Sequence, residues 1–236
     1  MRTSPDTQRS SRLRPGLLLL AVAVVLAGFG SNCSSSRDRD HAMVVSVPDQ
    51  RMALLRKGEP VAVYAISTSR YGIGDIPGSN YTPIGKMEIA RKIGGGAPPG
   101  MAFKHRRPTG EVVPPNAPGR DTIVTRILWL RGTEIRTRHA FHRYIYIHGT
   151  PEEHTIGTPA SFGCIRMKSD DVIDLYGRVG VGASVHVVTR PLQSREIPAP
   201  AEPPVEESLP YEAPPPAEGQ PAVVSSGNVA AEESGL

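Results

Sequence analysis

Hydrophobic and polar residues alternate in short runs from residue 43 onward. The runs at 43–47, 51–56 and 61–67 have the two-residue period of half-buried strands, and turn-forming residues separate them at 48–50 and 57–60. Because strands joined by such short turns pair with their neighbours, this part of the chain is predicted to form an antiparallel meander.

Further strands are predicted at 86–92, 122–130 and 184–189. Between the first two of these, residues 91–120 contain six Gly and six Pro, so we expect mostly loop. A loop of that length in a compact domain is usually a functional flap or a disordered insertion.

The clearest alternation lies at residues 143–148. In a strand there, Ile145 and Ile147 would face the core, and Tyr144, Tyr146 and His148 would face the opposite side. The pattern therefore places one imidazole and two phenols on a common polar face.

One helix is predicted near the end of the patterned region. Ser169 suits the N-cap, Asp170 and Asp171 suit the positive end of the helix dipole, and Gly180 suits the end of the helix. Together the elements predict a mainly β fold, a compact β-sandwich-like domain with one short helix after Cys164.

The two ends of the chain differ in composition from its middle. Residues 1–30 combine four Arg with an apolar run shorter than the roughly 20 residues that span a bilayer, which is typical of a signal peptide or membrane leader. Residues 31–42 form a Ser/Arg-rich tether, in which Cys33 is a candidate lipidation site. Residues 191–236 are rich in Pro and Glu and are expected to be a disordered acidic tail. The folded domain is accordingly assigned to 43–190.

The charge of the chain is distributed unevenly. The net charge of +4 includes eight Glu, without Lys or Arg, between residues 196 and 236. The first 14 residues contribute +3, which leaves +9 for residues 15–195. Because a basic domain favours an anionic polymer and the leader indicates export, we expect a periplasmic or cell-envelope protein that meets a bacterial cell wall, with no nucleic-acid partner. Membrane attachment would come through the leader or a lipidated Cys33.

Cys164, one of only two cysteines, has several open interpretations. A Cys beside a Gly is by default a small buried apolar residue. A disulfide would need Cys33, which processing or acylation would remove from use. A zinc site would have to combine Cys164 with His139, His142 and His148, among arginines that would repel the cation.

A nucleophilic role would need a base, and His148 lies 16 positions upstream of Cys164. The residues between His148 and Cys164 are rich in turn formers, so the chain can fold back there. An imidazole beside a thiol lets the thiol react as the thiolate. Gly163 tolerates the unusual dihedral angles that aim successive N–H groups at one point, as an oxyanion hole requires. Ser161 is placed to hydrogen-bond within the loop, and the planar fork of Arg166 suits a substrate carboxylate.

A family resemblance favours the nucleophile. The residues HGT at 148–150, followed by S-x-G-C-I-R at 161–166, resemble the signature of the L,D-transpeptidase catalytic domain of the YkuD type. Residues 81–85 look like that family's upstream TPxG element, and 167–188 look like its typical ending. The resemblance covers about 43–190 and implies a mainly β, exported enzyme that acts on peptidoglycan stem peptides.

By position, the resemblance implies that Cys164 is the nucleophile, that His148 is the base, and that the carbonyl of Gly149 orients His148. Phe162 departs from the pattern, because many members have His or a basic residue there. Phe162 is instead expected to pack against the substrate or the loop. The substrate and oxyanion residues would be Ser161, Phe162, Gly163, Arg166 and Tyr146.

The implied reaction begins with attack of the Cys164 thiolate on an L,D bond in a tetrapeptide stem. The terminal D-amino acid leaves, and an amine resolves the thioester. Water as acceptor would make the protein an L,D-carboxypeptidase, and a non-catalytic wall-binding module is the other alternative. The reaction requires no metal or organic cofactor, and we expect a monomer.

Overall fold

The computed structural model describes residues 37–119 and 121–199. These ranges contain ten strands and one α-helix, α1 (Ser169–Arg178), which lies between β9 and β10. The strands are β1 (His41–Ser46), β2 (Arg51–Arg56), β3 (Glu59–Ala65), β4 (Gly85–Ile93), β5 (Met101–Lys104), β6 (Arg107–Val112), β7 (Ile123–Gly132), β8 (Tyr146–Gly149), β9 (Ile165–Met167) and β10 (Ser184–Val188). Short 3₁₀ helices cover Ile135–Thr137, Glu153–Thr155 and Ser194–Glu196.

All ten strands belong to one hydrogen-bonded sheet. Its order is β3-β2-β1-β10-β4-β7-β5-β6, and β8 pairs with β7 while β9 pairs with β8. Ser67, just after β3, exchanges two backbone hydrogen bonds of 2.9 Å with Arg166 in β9. Because this bridge joins distant ends of the sheet, the sheet closes on itself and its strands surround a common core.

The main core is formed by strands on both sides of the Ser67–Arg166 bridge and by α1. Met43 of β1, Ile147 of β8, Ile165 of β9 and Leu175 of α1 all belong to it, and all are fully buried. Burial of such side chains stabilises the fold by about 25 cal/mol per Å² of apolar surface removed from water. The strand that carries His148 is thus anchored by its own apolar face.

A second, smaller cluster lies on the other face of β8. Its buried members are Phe103, Ile127, Trp129 and Tyr146, and Cys164 packs against them. The thiol is therefore set at the edge of an aromatic cluster rather than in the main core.

The mainly β fold class, the single short helix after Cys164 and the antiparallel meander of β1 to β3 are confirmed. The prediction of mostly loop for residues 91–120 missed the end of β4, which continues to Ile93, and the hairpin of β5 and β6. The Pro and Gly residues misled the prediction because β6 is an edge strand. Pro108 stands within β6, whose six residues are all exposed, and an edge strand tolerates a residue without an N–H.

The start of the helix also differs from the prediction. Ser169 is the first helical residue, and Lys168 occupies the cap position. The Ser169 N–H donates to Oε1 of Glu153 (2.8 Å), and its hydroxyl pairs with Oγ1 of Thr125 (2.8 Å). A carboxylate from a separate loop thus satisfies the helix N-terminus, a contact that no local sequence pattern reveals.

The strand predicted to begin at residue 143 begins at Tyr146. Tyr144 has a left-handed backbone (φ 58°), which interrupts the extended run. The alternation itself holds, since Ile145 and Ile147 lie in the main core. The opposite face is also covered, because Tyr146 and His148 are each only 4% exposed.

Residues beyond both predicted boundaries pack on the domain. Near the start, a carboxylate oxygen of Asp38 accepts a hydrogen bond from the Gly180 N–H (2.6 Å). Near the end, Glu196 is buried and pairs with Arg190 (2.7 Å). The folded part is therefore longer than 43–190 at both ends.

The structure does not describe the other segments predicted for the two ends of the chain. The leader at 1–30, Cys33 and the tail from residue 200 lie outside the described residues. Within the part of the chain that the structure describes, no helix is both long and apolar enough to cross a membrane.

Candidate active site

Parallel pairing of β8 with β9 brings the two predicted reactive residues together. His148 is paired with Arg166, and Ile147 with Ile165. Side chains at paired positions of parallel strands point to the same face, which places Cys164 beside Tyr146. The Tyr146 N–H donates to the thiol sulfur at 3.4 Å, consistent with that register.

Cys164 and His148 line one cleft of about 170 Å³. A larger cavity of about 490 Å³ lies beside Asp75 and Arg138 and contains neither residue. The other residues of the smaller cleft are Asp121, Thr122, Ile123, Ser161, Phe162 and Arg166. The structure thus brings together the thiol, the imidazole and three of the predicted substrate residues.

The imidazole of His148 is neutral and oriented. Its Nδ1 donates to the carbonyl oxygen of Gly149 at 2.8 Å, the contact expected from the sequence. Since Nδ1 carries the proton, Nε2 is the acceptor. Burial lowers the pKa of His148, and the nearby carboxylate of Asp121 opposes part of that shift. At neutral pH the ring is therefore ready to accept a proton.

Gly149 is required by the close approach of β7. A Cβ at this position would lie 2.7 Å from the carbonyl oxygen of Val124 and 3.1 Å from Cβ of Thr125. Thr125 itself has a left-handed backbone (φ 71°) at an irregularity in the β7–β8 register. Because a β-branched residue disfavours this conformation, the bulge that presses on the His148 strand stores strain that the surrounding contacts must offset.

The thiol of Cys164 is protonated in the resting protein. Its sulfur accepts from the Tyr146 N–H and donates to the carbonyl oxygen of Tyr144, both at 3.4 Å. Burial raises the pKa of Cys164 to about 11, although the Tyr146 N–H opposes the shift. With His148 neutral, the resting pair is a thiol and an imidazole, so no thiolate–imidazolium ion pair is preformed. The sulfur can become a thiolate only by losing its proton during the reaction.

A hydrogen-bonded turn holds the backbone in front of the thiol. Gly163 has a φ of +116°, and a Cβ there would lie 3.2 Å from the carbonyl oxygen of Tyr81. The Gly163 N–H donates to Oγ of Ser161 (3.1 Å), and the Ser161 hydroxyl donates to the carbonyl oxygen of Cys164 (2.6 Å). Thr82 closes the arrangement by donating to the Gly163 carbonyl (3.0 Å).

These hydrogen bonds can be compared with the roles predicted for Ser161 and Gly163. Ser161 makes the loop hydrogen bonds expected of it and is 1% exposed. The Gly163 N–H was predicted to help hold an oxyanion, but the Ser161 oxygen already occupies it. Gly163 instead provides the backbone conformation that the turn needs.

The location of Arg166 corrects its predicted role. Its guanidinium is fully buried and forms ion pairs with Asp121 and Glu152, and it also donates to Oγ1 of Thr155 (2.7 Å). Because the terminal nitrogens of the fork are bound to the protein's own carboxylates and to a hydroxyl, they are not available to a substrate carboxylate; among the described residues only Nε has no hydrogen-bond partner. Arg166 ties β9 to two loops, and the sequence could not reveal partners so far away along the chain.

Phe162 forms an exposed rim beside the cleft. The side chain is 53% exposed and its ring lies 5.6 Å from that of Tyr71. The guanidinium of Arg70 lies 4.7 Å from the Phe162 ring and donates to the carbonyl oxygen of Ala160 (2.7 Å). The rim is thus aromatic where many members of the family have a polar residue.

Tyr146 lines a second cleft of about 410 Å³, which shares Ile123 with the cleft that holds the thiol. Its hydroxyl accepts a hydrogen bond of 3.4 Å from Arg106, which belongs to the β5–β6 turn. The other residues of this cleft are Phe103, His105, Ile123 and Tyr144. Sequence reasoning missed Arg106 because the segment was predicted to be a loop without defined contacts.

The zinc alternative does not fit this arrangement. Nε2 of His139 accepts a hydrogen bond from Arg138 (2.9 Å). In the ranges 37–119 and 121–199, no three His, Cys, Asp or Glu side chains are grouped so that they could hold a metal ion. Among the residues that the structure describes, Cys164 has no disulfide partner.

The fold and the cleft define a class: a closed, mainly β domain with an imidazole on one strand and a thiol immediately before the parallel neighbouring strand. The model of one family, described as "L,D-transpeptidase catalytic domain" (YkuD), matches residues 40–187, which is more than half of the chain. The chain belongs to the YkuD family of L,D-transpeptidase catalytic domains.

Individual relatives are more distant. The probable L,D-transpeptidase ErfK/SrfK of Salmonella typhimurium is 41% identical over 51 residues, which are 22% of this chain and 16% of that protein. An L,D-transpeptidase structure from Mycobacterium smegmatis is 18% identical and has a TM-score of 0.41, with 63% of this chain and 58% of that chain covered. One from Xylanimonas cellulosilytica is 16% identical with the same TM-score, and the coverage is 72% and 69%.

Proposed function

We propose that the protein is a cysteine-dependent L,D-transpeptidase that acts on peptidoglycan stem peptides through a thioester on Cys164. The observation that carries the proposal is the shared cleft, which is lined both by the Cys164 thiol and by a buried imidazole whose Nδ1 is held by the Gly149 carbonyl. Membership of the family supports the same chemistry.

The first step is attack on the carbonyl carbon of the L,D bond in the donor stem. The sulfur of Cys164 forms the new bond as its proton passes to Nε2 of His148, because the resting pair is neutral. Negative charge then develops on the carbonyl oxygen. The N–H of Cys164 itself is our candidate donor to that oxyanion, since the N–H of Gly163 is taken.

The second step breaks the bond to the terminal D-amino acid. The imidazolium of His148 returns its proton to the leaving nitrogen, the C–N bond breaks and the thioester remains. The carboxylate of Asp121 favours the transient positive charge on His148. An acceptor amine then approaches from the same side, loses its proton to His148 and forms the new amide bond as the C–S bond breaks, and His148 returns the proton to the Cys164 sulfur.

Other residues position this chemistry. Ser161 and Arg166 hold the turn and the strand that carry the thiol, and Phe162 offers an exposed apolar contact to the stem peptide. No step requires a metal or an organic cofactor.

The same proposal places the protein in the cell envelope. Residues 15–195 carry +9, and an anionic wall polymer would attract them. Export through the 1–30 leader, with or without a lipid on Cys33, would deliver the domain to the wall. Fractionation of cells that produce the full chain, with a Cys33→Ala variant as control, tests this: recovery in the cytoplasm would contradict it.

Mass spectrometry of muropeptides tests the reaction. Tetrapeptide-bearing muropeptides incubated with the full chain should lose the terminal D-amino acid and appear as cross-linked or amine-coupled products, whereas a Cys164→Ala variant should give none. Tripeptide products alone would indicate water as acceptor, hence an L,D-carboxypeptidase. Binding without turnover would indicate a wall-binding module and would overturn the proposal.

A further inference from the structure

A buried ion pair that the proposed chemistry does not use lies near the turn at 161–164. Nη1 of Arg143 lies 2.8 Å from Oδ1 of Asp75, and the two side chains are only 8% and 6% exposed. The other carboxylate oxygen of Asp75 accepts a hydrogen bond from the His139 N–H (2.6 Å). Because removing two charges from water is costly, a pair buried so fully calls for a role that an exposed pair could not fill.

The rest of the Arg143 guanidinium holds the segment 69–82, here called the strap. Nη1 donates to the carbonyl oxygen of Gly74 (3.1 Å), and Nη2 donates to that of Tyr81 (2.7 Å). The planar fork of an arginine can join two such acceptors in a fixed geometry, whereas an ammonium group cannot. Arg143 therefore fixes two points of the strap to the chain that leads into β8.

The strap in turn supports the turn that carries the thiol. The Tyr81 carbonyl oxygen would lie 3.2 Å from a Cβ at Gly163, and the Thr82 hydroxyl donates to the Gly163 carbonyl oxygen (3.0 Å). The strap can approach this closely because Gly163 has no side chain. Arg143 is thus connected, through the backbone of the strap, to the residue that precedes Cys164.

Arg143 also precedes the residue that accepts the hydrogen bond of the thiol. The Tyr144 carbonyl oxygen accepts from Sγ of Cys164 (3.4 Å), and Tyr144 has a left-handed backbone (φ 58°) that a bulky side chain disfavours. Asp75 binds both ends of the preceding turn, since it accepts from the His139 N–H and from the Arg143 side chain. A strained backbone persists only where its surroundings hold it, and the ion pair supplies such a hold next to Tyr144.

We propose that Arg143 is a positioning residue for Cys164: its buried pair with Asp75 holds the strap and the Tyr144 carbonyl, and these keep the thiol aligned for attack. Arg143 touches no reacting atom and acts through the backbone of its neighbours. This inference rests on the proposed function and adds one residue to the groups that support it.

The charge of Arg143 gives this role a second signature. Burial raises the pKa of Cys164, the carboxylate of Asp121 adds to that shift, and the positive charges of Arg143 and Arg166 oppose it. His148, which lines the same cleft, is neutral and adds no charge. Removing the charge of Arg143 should therefore leave less thiolate at a given pH. A loosened fold would do the opposite, because an exposed thiol has a lower pKa than a buried one.

Two rates measured on the full chain test the proposal. Single-turnover release of the D-amino acid from a tetrapeptide donor reports acylation, and alkylation of Cys164 by iodoacetamide, followed by peptide mass spectrometry, reports the thiolate fraction at about pH 9. Arg143→Met should acylate about 10- to 100-fold more slowly, the cost of a misaligned nucleophile. It should also alkylate about two- to fivefold more slowly, since the thiolate fraction follows the pKa. Arg143→Lys restores the charge without the fork, so it should alkylate at the wild-type rate and still acylate at least about threefold more slowly.

Arg190→Gln is the matched control, because it removes the partner of the buried carboxylate of Glu196 from a pair that lines neither cleft. It should leave both rates unchanged even where it lowers the stability of the fold. Wild-type acylation by Arg143→Met, faster alkylation of that variant, or an equal loss in Arg190→Gln would overturn the inference. If Arg143→Met does not fold, Arg143→Lys decides the matter, and acylation of that variant at the wild-type rate would overturn the inference.

Failure of the underlying function gives a different result. If the wild type releases no D-amino acid and forms no acyl adduct on Cys164, the proposed function and this inference both fall. If the wild type is acylated and Arg143→Met is acylated equally fast, only the inference falls.

Discussion

The two sides of the thiol are built differently. Strand β8 contains His148, and β9 begins directly after Cys164. The seven residues of these two strands are all buried. The β5–β6 hairpin across the second cleft ends in β6, whose six residues are all exposed. The groups proposed to make and break bonds lie on or next to the buried strands, and the basic residues at 104–107 lie at the tip of the hairpin that ends in the exposed strand.

The difference follows from what each task requires. A proton transfer between sulfur and nitrogen fails when either group moves, and the apolar faces of Ile147 and Ile165 fix both strands in the main core. Recognition of a charged group needs less precise positioning, so an exposed hairpin such as β5–β6 can provide it. The hairpin also has a free edge, since β6 ends the strand order among the described residues.

The largest expected effect is at the imidazole. His148→Ala should slow acylation of Cys164 by about 10²- to 10⁴-fold, the usual contribution of a general base. Single-turnover release of the D-amino acid measures it. His148→Gln keeps a hydrogen-bonding side chain without a base, so recovery of activity in that variant would contradict the assigned role.

Arg166→Met should lower the free energy of unfolding by about 1–3 kcal/mol, because it removes the fully buried guanidinium that pairs with the partly buried carboxylates of Asp121 and Glu152. Urea denaturation followed by circular dichroism measures the change. The control is Arg178→Gln, which removes an exposed pair with Asp174 and should cost about 0.5 kcal/mol or less. Equal costs for the two variants would show that Arg166 does not anchor the strand.

The resting thiol should be slow to alkylate. Because burial raises the pKa of Cys164 to about 11, its reaction with iodoacetamide should accelerate about tenfold per pH unit until about pH 11. The unfolded chain should level off near pH 9. Since the thiolate is favoured in the unfolded chain, stability should fall as pH rises from about 9 towards 11. A rate that levels off below pH 7 would indicate a preformed thiolate.

Another effect on stability is expected in the turn. Gly163→Ala should cost about 1–3 kcal/mol, because it places a side chain at φ +116° and close to the Tyr81 carbonyl. Gly157→Ala is the control, since Gly157 also has a positive φ (+97°) but has no atom within 4 Å of the added Cβ. Thermal unfolding compares the two. Only Gly163→Ala should also slow acylation of Cys164. An unchanged acylation rate in this variant would show that the turn does not contribute to the reaction.

Local pattern predicted most of the strands, because the alternation of a strand depends on neighbours in sequence. The two-residue alternation placed Ile145 and Ile147 in the core, and the family motif singled out Cys164 with His148. The hairpin at 101–112 was missed because Pro and Gly mark loops and edge strands alike.

Long-range partners could not be predicted from local pattern. The carboxylates that neutralise Arg166 lie 45 and 14 positions away from it, and nothing near Arg166 indicates them. Thr125 adopts a backbone that its residue type disfavours, so propensity argues against the observed conformation. The contact of Arg106 with Tyr146, 40 positions apart, likewise depends on the closed sheet.

Intact mass after incubation with a carbapenem, a β-lactam that acylates thiols of this family, tests the central claim most directly. The account predicts one covalent adduct per chain on Cys164, formed much more slowly in His148→Ala and absent from Cys164→Ala. An adduct that persists in Cys164→Ala, or a wild-type protein that neither forms an adduct nor turns over tetrapeptide stems, would contradict it.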